Sequence, residues 1–430
     1  MLIAQIGAAP WRSAPPRKGT VAAVDSSAHR AGTRLVPWLI LGLASVHGTA
    51  ALAEAWLIQP TVEFATQYED NIRLVPDEQE SAWTYIPTLQ GLVSRQTETM
   101  DVRALGRFSY RIYEGETDLE DTGQILARLG SEFRTERSFF QLDGAWRRDD
   151  TFSNRDNFDP DLPGDIADDE ADTRATAVQA IRNRGDIVPR YRYRLSERTT
   201  VGATFAYRQQ YYEDDEVDLD FSEYKQYTYS LDHSYAVDER TRWTNRVRYV
   251  DYEAPNRDRQ YQTQEFLTGI ERSFTERFSA GLDVGWRETD FDTPTDEGTN
   301  DGYSLILTGR FRDELWLLRG RISHRLVPSS SGDVVEQDEI VVDYAYSLTP
   351  RLAARLEARY FENESLLVEN ERTNRSYMYI EPSLSYALSL AWSLRASLFH
   401  EREDREIFDE SAENTGVMFS ISWRPPSELD

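Results

Sequence analysis

Apolar and polar residues alternate with a period of two, repeatedly along the chain and for about ten residues at a time. From Asp101 to Ile112, one face collects Val102, Ala104, Gly106, Phe108, Tyr110 and Ile112, and the other Asp101, Arg103, Arg107, Ser109 and Arg111. The same pattern runs through Ile187–Leu195, Val201–Tyr211, Phe278–Trp286, Trp316–Leu326, Ile340–Leu348, Leu352–Tyr360 and Val417–Trp423. Each run predicts a strand with one oily and one polar face. Connections alternate short (135–138, 196–199, 275–277 and 349–351 among them) and long. The long ones are polar and acidic: 69–81, 114–121, 149–174, 212–223, 253–261, 288–300, 328–334, 362–374 and 401–413. Eight short turns and nine long loops predict 18 strands, with both chain ends on the short-turn side.

Runs of about 9–11 residues are long enough for a tilted strand to cross a bilayer. Lipid cannot hydrogen-bond an open sheet edge, so strands that cross it must close into a barrel. A soluble sandwich would use shorter strands with Val, Ile and Leu packed against a second layer. Here the apolar face carries Gly or Ala in mid-strand and aromatics towards its ends. Phe140, Tyr193, Trp243, Phe278, Trp316 and Trp392 lie beside short turns, and Tyr85, Trp146, Tyr211, Tyr249, Trp286 and Tyr360 beside long loops. Those are two girdles at the headgroup levels of a membrane. The predicted fold is all-β: a closed antiparallel transmembrane β-barrel of about 16–18 strands, with short periplasmic turns and long acidic extracellular loops.

Composition narrows the class. Of 430 residues, 40% are hydrophobic, the formal charge is −27 and there is no cysteine. Mean hydropathy of −0.62 leaves no room for a helical bundle, and 51 aromatic residues are too many for a disordered acidic polymer. A pI near 4.7 argues against nucleic acid as a partner. Residues 34–53 read as a secretory signal, with Arg34, an apolar run and a small-x-small end at Ala51, Leu52 and Ala53. Residues 1–33 read as an over-long leader, as a mis-assigned start codon would produce, and 54–430 as the barrel domain.

Strand parity sends one residue set inward. It includes Arg103, Arg107, Arg111, Arg190, Arg192, Arg194, Arg246, Arg248, Arg319, Arg321, Arg325, Arg355 and Arg359, the candidate anion-binding residues of the lumen. On that face arginines outnumber carboxylates such as Asp101, Glu132, Asp143, Asp232, Asp343, Glu357 and Glu381. Guanidinium groups grip carboxylate or phosphate bidentately, and rings of arginine select anions. The opposing expectation is that arginine–carboxylate ladders across neighbouring strands satisfy one another. The acidic stretch 149–174 reads as a solvated loop; its spacing does not match a calcium loop. After the signal only His233, His324 and His400 remain, all on the outward parity. His233 and Ser234 point to opposite faces. No catalytic group, metal site or cofactor is expected.

The first strand opens at Pro60 and closes in Tyr68, Glu69, Asp70 and Asn71, while Leu195–Arg198 and Leu348–Arg351 are turns of the form Leu-Ser/Thr-x-Arg. These features resemble bacterial outer-membrane β-barrel porin families (porin-2-like), some linked to exopolysaccharide secretion. Strand number and an arginine-rich wall are also similar to alginate export porins. The resemblance implies an outer-membrane channel passing anionic solutes or exporting an acidic polysaccharide, alone or with a polysaccharide export complex. A plugged structural or surface-binding barrel is the alternative, and a barrel enzyme the remoter one. The last strand, Val417–Trp423, resembles the signal read by the barrel insertion machinery. The expected location is the outer membrane of a Gram-negative bacterium, among lipid and lipopolysaccharide, with N- and C-termini periplasmic.

Overall fold

The computed structural model describes residues 56–115, 117–152, 179–213, 221–329, 331–366, 374–405 and 410–426. The leader, the signal and residues 153–174 of the acidic stretch lie outside the described residues. The alternation yields β1 (Leu57–Glu69), β2 (Ala82–Gln96), β3 (Met100–Gly115), β4 (Thr122–Arg134), β5 (Ser138–Asp150) and β6 (Ile181–Arg194). It continues in β7 (Thr199–Tyr212), β8 (Tyr224–Ala236), β9 (Thr241–Ala254), β10 (Arg259–Ser273), β11 (Phe278–Asp292) and β12 (Glu297–Arg312). The last third holds β13 (Trp316–Pro328), β14 (Val334–Thr349), β15 (Leu352–Ser365), β16 (Arg375–Ala387), β17 (Trp392–Arg405) and β18 (Glu410–Trp423).

Each strand pairs antiparallel with its chain neighbours, and β1 pairs with both β2 and β18, so the 18-stranded sheet closes on itself. For a strand spacing of about 4.8 Å and a tilt of about 40°, 18 strands set a backbone radius of about 18 Å. The sequence underestimates strand length. The expected loops 253–261 and 288–300 shrink to 255–258 and 293–296, because the ladder continues past the last apolar residue. Beyond the oily band the outer face turns polar, so hydrophobic alternation goes silent there while the backbone hydrogen bonds persist.

The outer face is an apolar band, with Phe64, Leu89, Phe108, Leu129, Leu231, Val247, Ile270, Leu307, Ile322, Ile340 and Phe419 all exposed. Aromatics stand at its margins, among them Phe140, Trp243, Phe278 and Trp392 by the short turns and Trp146, Trp286, Tyr303 and Tyr360 by the longer loops. The short turns share a device that explains their weak repeat. The hydroxyls of Thr135, Ser196, Thr275, Thr349 and Ser389 each accept the backbone N–H three residues on, at 2.9–3.1 Å.

The motif closing β1 sits on the seam of the barrel. Asn414 of β18 donates to Glu69 and to Glu401, each at 2.7 Å, and its carbonyl accepts the Asn71 N–H at 3.1 Å. Asp70 accepts the Thr415 N–H at 2.7 Å, and the Asn71 amide donates to the carbonyl of Glu413 at 2.9 Å. The β1–β18 pairing is short, running only from Val62 to Glu69, and these polar bonds pin its long-loop end.

At that same end the connections fold inward. Leu74 of the 70–81 loop is buried against Phe361, Tyr377 and Ala412, while Ile72 packs with Ala82, Leu119 and Phe152. The tip of the β13–β14 hairpin also turns in. Val334 packs among Tyr224, Tyr252, Ala254 and Tyr261, and Asp333 bonds Arg259 and the Tyr261 hydroxyl. Gly332 makes this turn possible, with φ of 84° in the left-handed region; a Cβ there would come within 2.5 Å of the Ser222 hydroxyl.

Candidate functional site

All thirteen candidate arginines take the inner face. Cross-strand register fixes this: Arg103 is opposite Gly130, Arg190 opposite Gln141, Arg246 opposite Asp232, Arg319 opposite Asp343, and Arg355 opposite Ala345. Residues directly opposite in a ladder share a face, so one inward residue carries its partners with it around the wall.

Two arrays result. On β13–β15, five guanidinium groups surround three carboxylates. Asp343 accepts from Arg319 and from Arg355 at 2.8 Å, and Arg355 also pairs with Glu357 at 2.7 Å. Glu339, almost wholly buried, binds Arg321 at 2.9 Å, Arg325 at 3.2 Å and Arg359 at 2.9 Å. Five cations against three anions leave this column net positive. On the β6–β9 side, Arg190 faces Asp143 at 3.7 Å, Arg246 binds Asp232 at 2.6 Å and Arg248 binds Glu265 at 2.8 Å. A recess of 680 Å³ opens there, lined by Arg190, Arg192, Arg246, Arg248, Asp186 and Asp232.

The ladder expectation therefore describes much of the wall. Arg103 likewise pairs with Asp101 at 2.9 Å, and Arg111 is buried at the long-loop end. Among the described residues, Arg107 and Arg194 have no carboxylate partner, and neither do Arg310 and Arg312 on the inner face of β12. Arg192 lies 4.7 Å over the ring of Phe139. Burial grades along the bore: Arg182 and Arg287 are hidden at the long-loop end, whereas Arg134 (61% exposed) and Arg246 (50%) are open nearer the short turns.

Sequence reasoning left out Glu339, Glu265, Asp186 and Asp149. Asp149 is gripped by Arg182 at 3.2 Å and Arg184 at 2.9 Å. Glu339, Asp186 and Asp149 fall just outside the runs of apolar alternation; extending parity one or two residues past each run would have found them. Their inclusion lowers the arginine excess without cancelling it. The three histidines sit on the outer face, where His233 meets Asn245 at 3.3 Å, His324 meets Asp338 at 2.9 Å and His400 meets Thr415 at 3.0 Å.

No known family model matches the chain, and no curated protein matches it. Solved structures do resemble it in fold. OccAB3 of Acinetobacter baumannii is 13% identical over 86% of this chain and 99% of its own, with a TM-score of 0.45. OccK2 (OpdF) of Pseudomonas aeruginosa, determined with glucuronate, is 12% identical over 88% and 100%, also at 0.45. OprD of Pseudomonas aeruginosa is 9% identical over 87% and 96%, at 0.42.

Proposed function

We propose that this chain is an outer-membrane channel of a Gram-negative bacterium that passes small anionic solutes. The observation carrying this reading is the inner wall, where guanidinium groups outnumber carboxylates and stay accessible on the short-turn side. An anion entering that vestibule meets Arg192, Arg194, Arg310 and Arg312 first and then the half-neutralised arrays of β13–β15 and β6–β9. Shared carboxylates keep each arginine from holding an anion tightly, which suits conduction by successive weak sites. The apolar outer band and its aromatic margins support membrane residence, with both termini periplasmic. Val417–Trp423 supports delivery by the barrel insertion machinery, and lipopolysaccharide would surround the long-loop end.

The inward connections at that end favour a small solute over a polymer. Export of an acidic polysaccharide would require the 70–81 loop and the β13–β14 tip to withdraw. The same packing favours, as a second reading, a barrel plugged at rest. Planar-bilayer recording separates the two: steady anion-selective current is expected, and absence of current supports the plug. Replacing Arg190, Arg192 and Arg194 together by Gln should move the reversal potential in a salt gradient towards zero. An unmoved reversal potential, or a cation-selective wild type, would remove the arginine argument.

A further inference from the structure

The wall has a breach. β12 and β13 pair only from Leu305 opposite His324 to Arg312 opposite Leu317. Above that point β12 runs on to Glu297 paired with β11 alone, and β13 runs on to Pro328 paired with β14 alone. The cause is the inward lean of the β13–β14 tip, held by Asp333 and Val334, which draws β13 away from its neighbour. Unpaired strand edges are costly near lipid, so something must occupy the gap.

Arg287 occupies it. Although Glu265 stands opposite it in the ladder, Glu265 serves Arg248 and Ser304. The Arg287 side chain instead turns across Gly302, where a Cβ would lie 2.7 Å from its terminal nitrogen. It donates to the carbonyl of Tyr303, on the stretch of β12 that β13 has left, and to Glu336 of β14. It is 1% exposed, and its Nε has no hydrogen-bond partner. Outside, Tyr303 stacks on His324 at 4.2 Å with Leu305 alongside on the same face, whereas Leu326 packs inward against the Val334 cluster.

We propose that this breach is a lateral binding site for an amphiphilic carboxylate, its head group displacing Glu336 on Arg287 and its apolar part lying along Tyr303 and Leu305. A buried cation with a spare donor, a glycine that clears its path and an apolar rim opening at the upper aromatic girdle are the three parts such a ligand needs. The site rests on the reading of this barrel as a membrane channel.

The test is photolabelling of the full-length protein in phospholipid vesicles with a benzophenone-bearing alkyl carboxylate, followed by peptide mapping. Label is expected on the peptide carrying Tyr303 and Leu305, several-fold above that from the neutral amide of the same probe, and lost in R287Q. Label spread evenly around the outer face, or equal labelling by the amide, would overturn the proposal. Should R287Q fail to insert, E336Q serves instead: freeing Arg287 should raise labelling, and unchanged labelling counts against the site. Chloride conductance recorded on the same preparation reads the bore separately, so failure of the channel and failure of the lateral site remain distinct.

Discussion

Asn414 is a fully buried amide whose three hydrogen bonds reach Glu69 and the Asn71 N–H across the seam and Glu401 on the adjoining β17. Replacing it by Leu removes all three and leaves polar groups facing an apolar side chain, which costs about 1–3 kcal/mol for each group left unsatisfied. N414L should therefore lower the urea midpoint of the detergent-solubilised barrel well below that of an outer-band substitution such as L307A. Glu213, at the start of the loop after β7, tells a different story. The hydrogen bond from Arg148, at 2.8 Å, holds its carboxyl below the ordinary glutamate value of 4.5, against a smaller opposing effect of burial. A depressed folded value means the pairing stabilises above that ordinary value and is lost as acid carries the pH down through it. The protection factors of the Glu213 and Asn183 amides, that is, exchange corrected for its intrinsic pH dependence, should thus be high at neutral pH and fall under acid. In E213Q they should be nearly independent of pH over that range. Glu69, Asp70 and Asn71 were visible as a motif in the sequence, but their work at the seam was not, because their partners lie more than 340 residues away.

At the level of strands, period-two alternation located all eighteen and misjudged their ends. Alternation reports which residues make the apolar outer band, whereas strand length is set by the ladder, which needs no apolar residue. Glycines along the strands show the same division. Phe399 lies opposite Gly416 on the inner face, and a Cβ at Gly416 would sit 2.1 Å from the ring and 2.3 Å from the carbonyl of Tyr68. Gly309 on the outer face has nothing within 4 Å. G416V should cost about 1–3 kcal/mol through overpacking, measured as a lower unfolding temperature, and G309V should leave that temperature nearly unchanged.

For the molecule as a whole, charge is divided by location: the chain is acidic at −27, while the candidate arginines lie on the parity opposite the apolar band. That division followed from parity alone. The closing of one end did not. The β13–β14 tip reaches across the mouth to β10 through Arg259, Tyr261 and Asp333, with Val334 packed among Tyr224, Tyr252 and Tyr261, and β12 and β13 part beside it. D333A should release the tip, so single-channel conductance is expected to rise while anion preference stays as it was; unchanged conductance would mean the apolar packing of Val334 holds the tip unaided.

What the amino-acid order determined by itself was the strand pattern, the two faces and hence the closed barrel, since these depend on which residues tolerate lipid and on the rule that no strand edge can be left bare there. Only the tertiary structure decided which arginines are spoken for, which connections fold into the mouth and where the wall parts. Those outcomes depend on contacts between strands far apart in the chain, such as Asn414 with Glu69 or Arg259 with Asp333, and no local periodicity carries them.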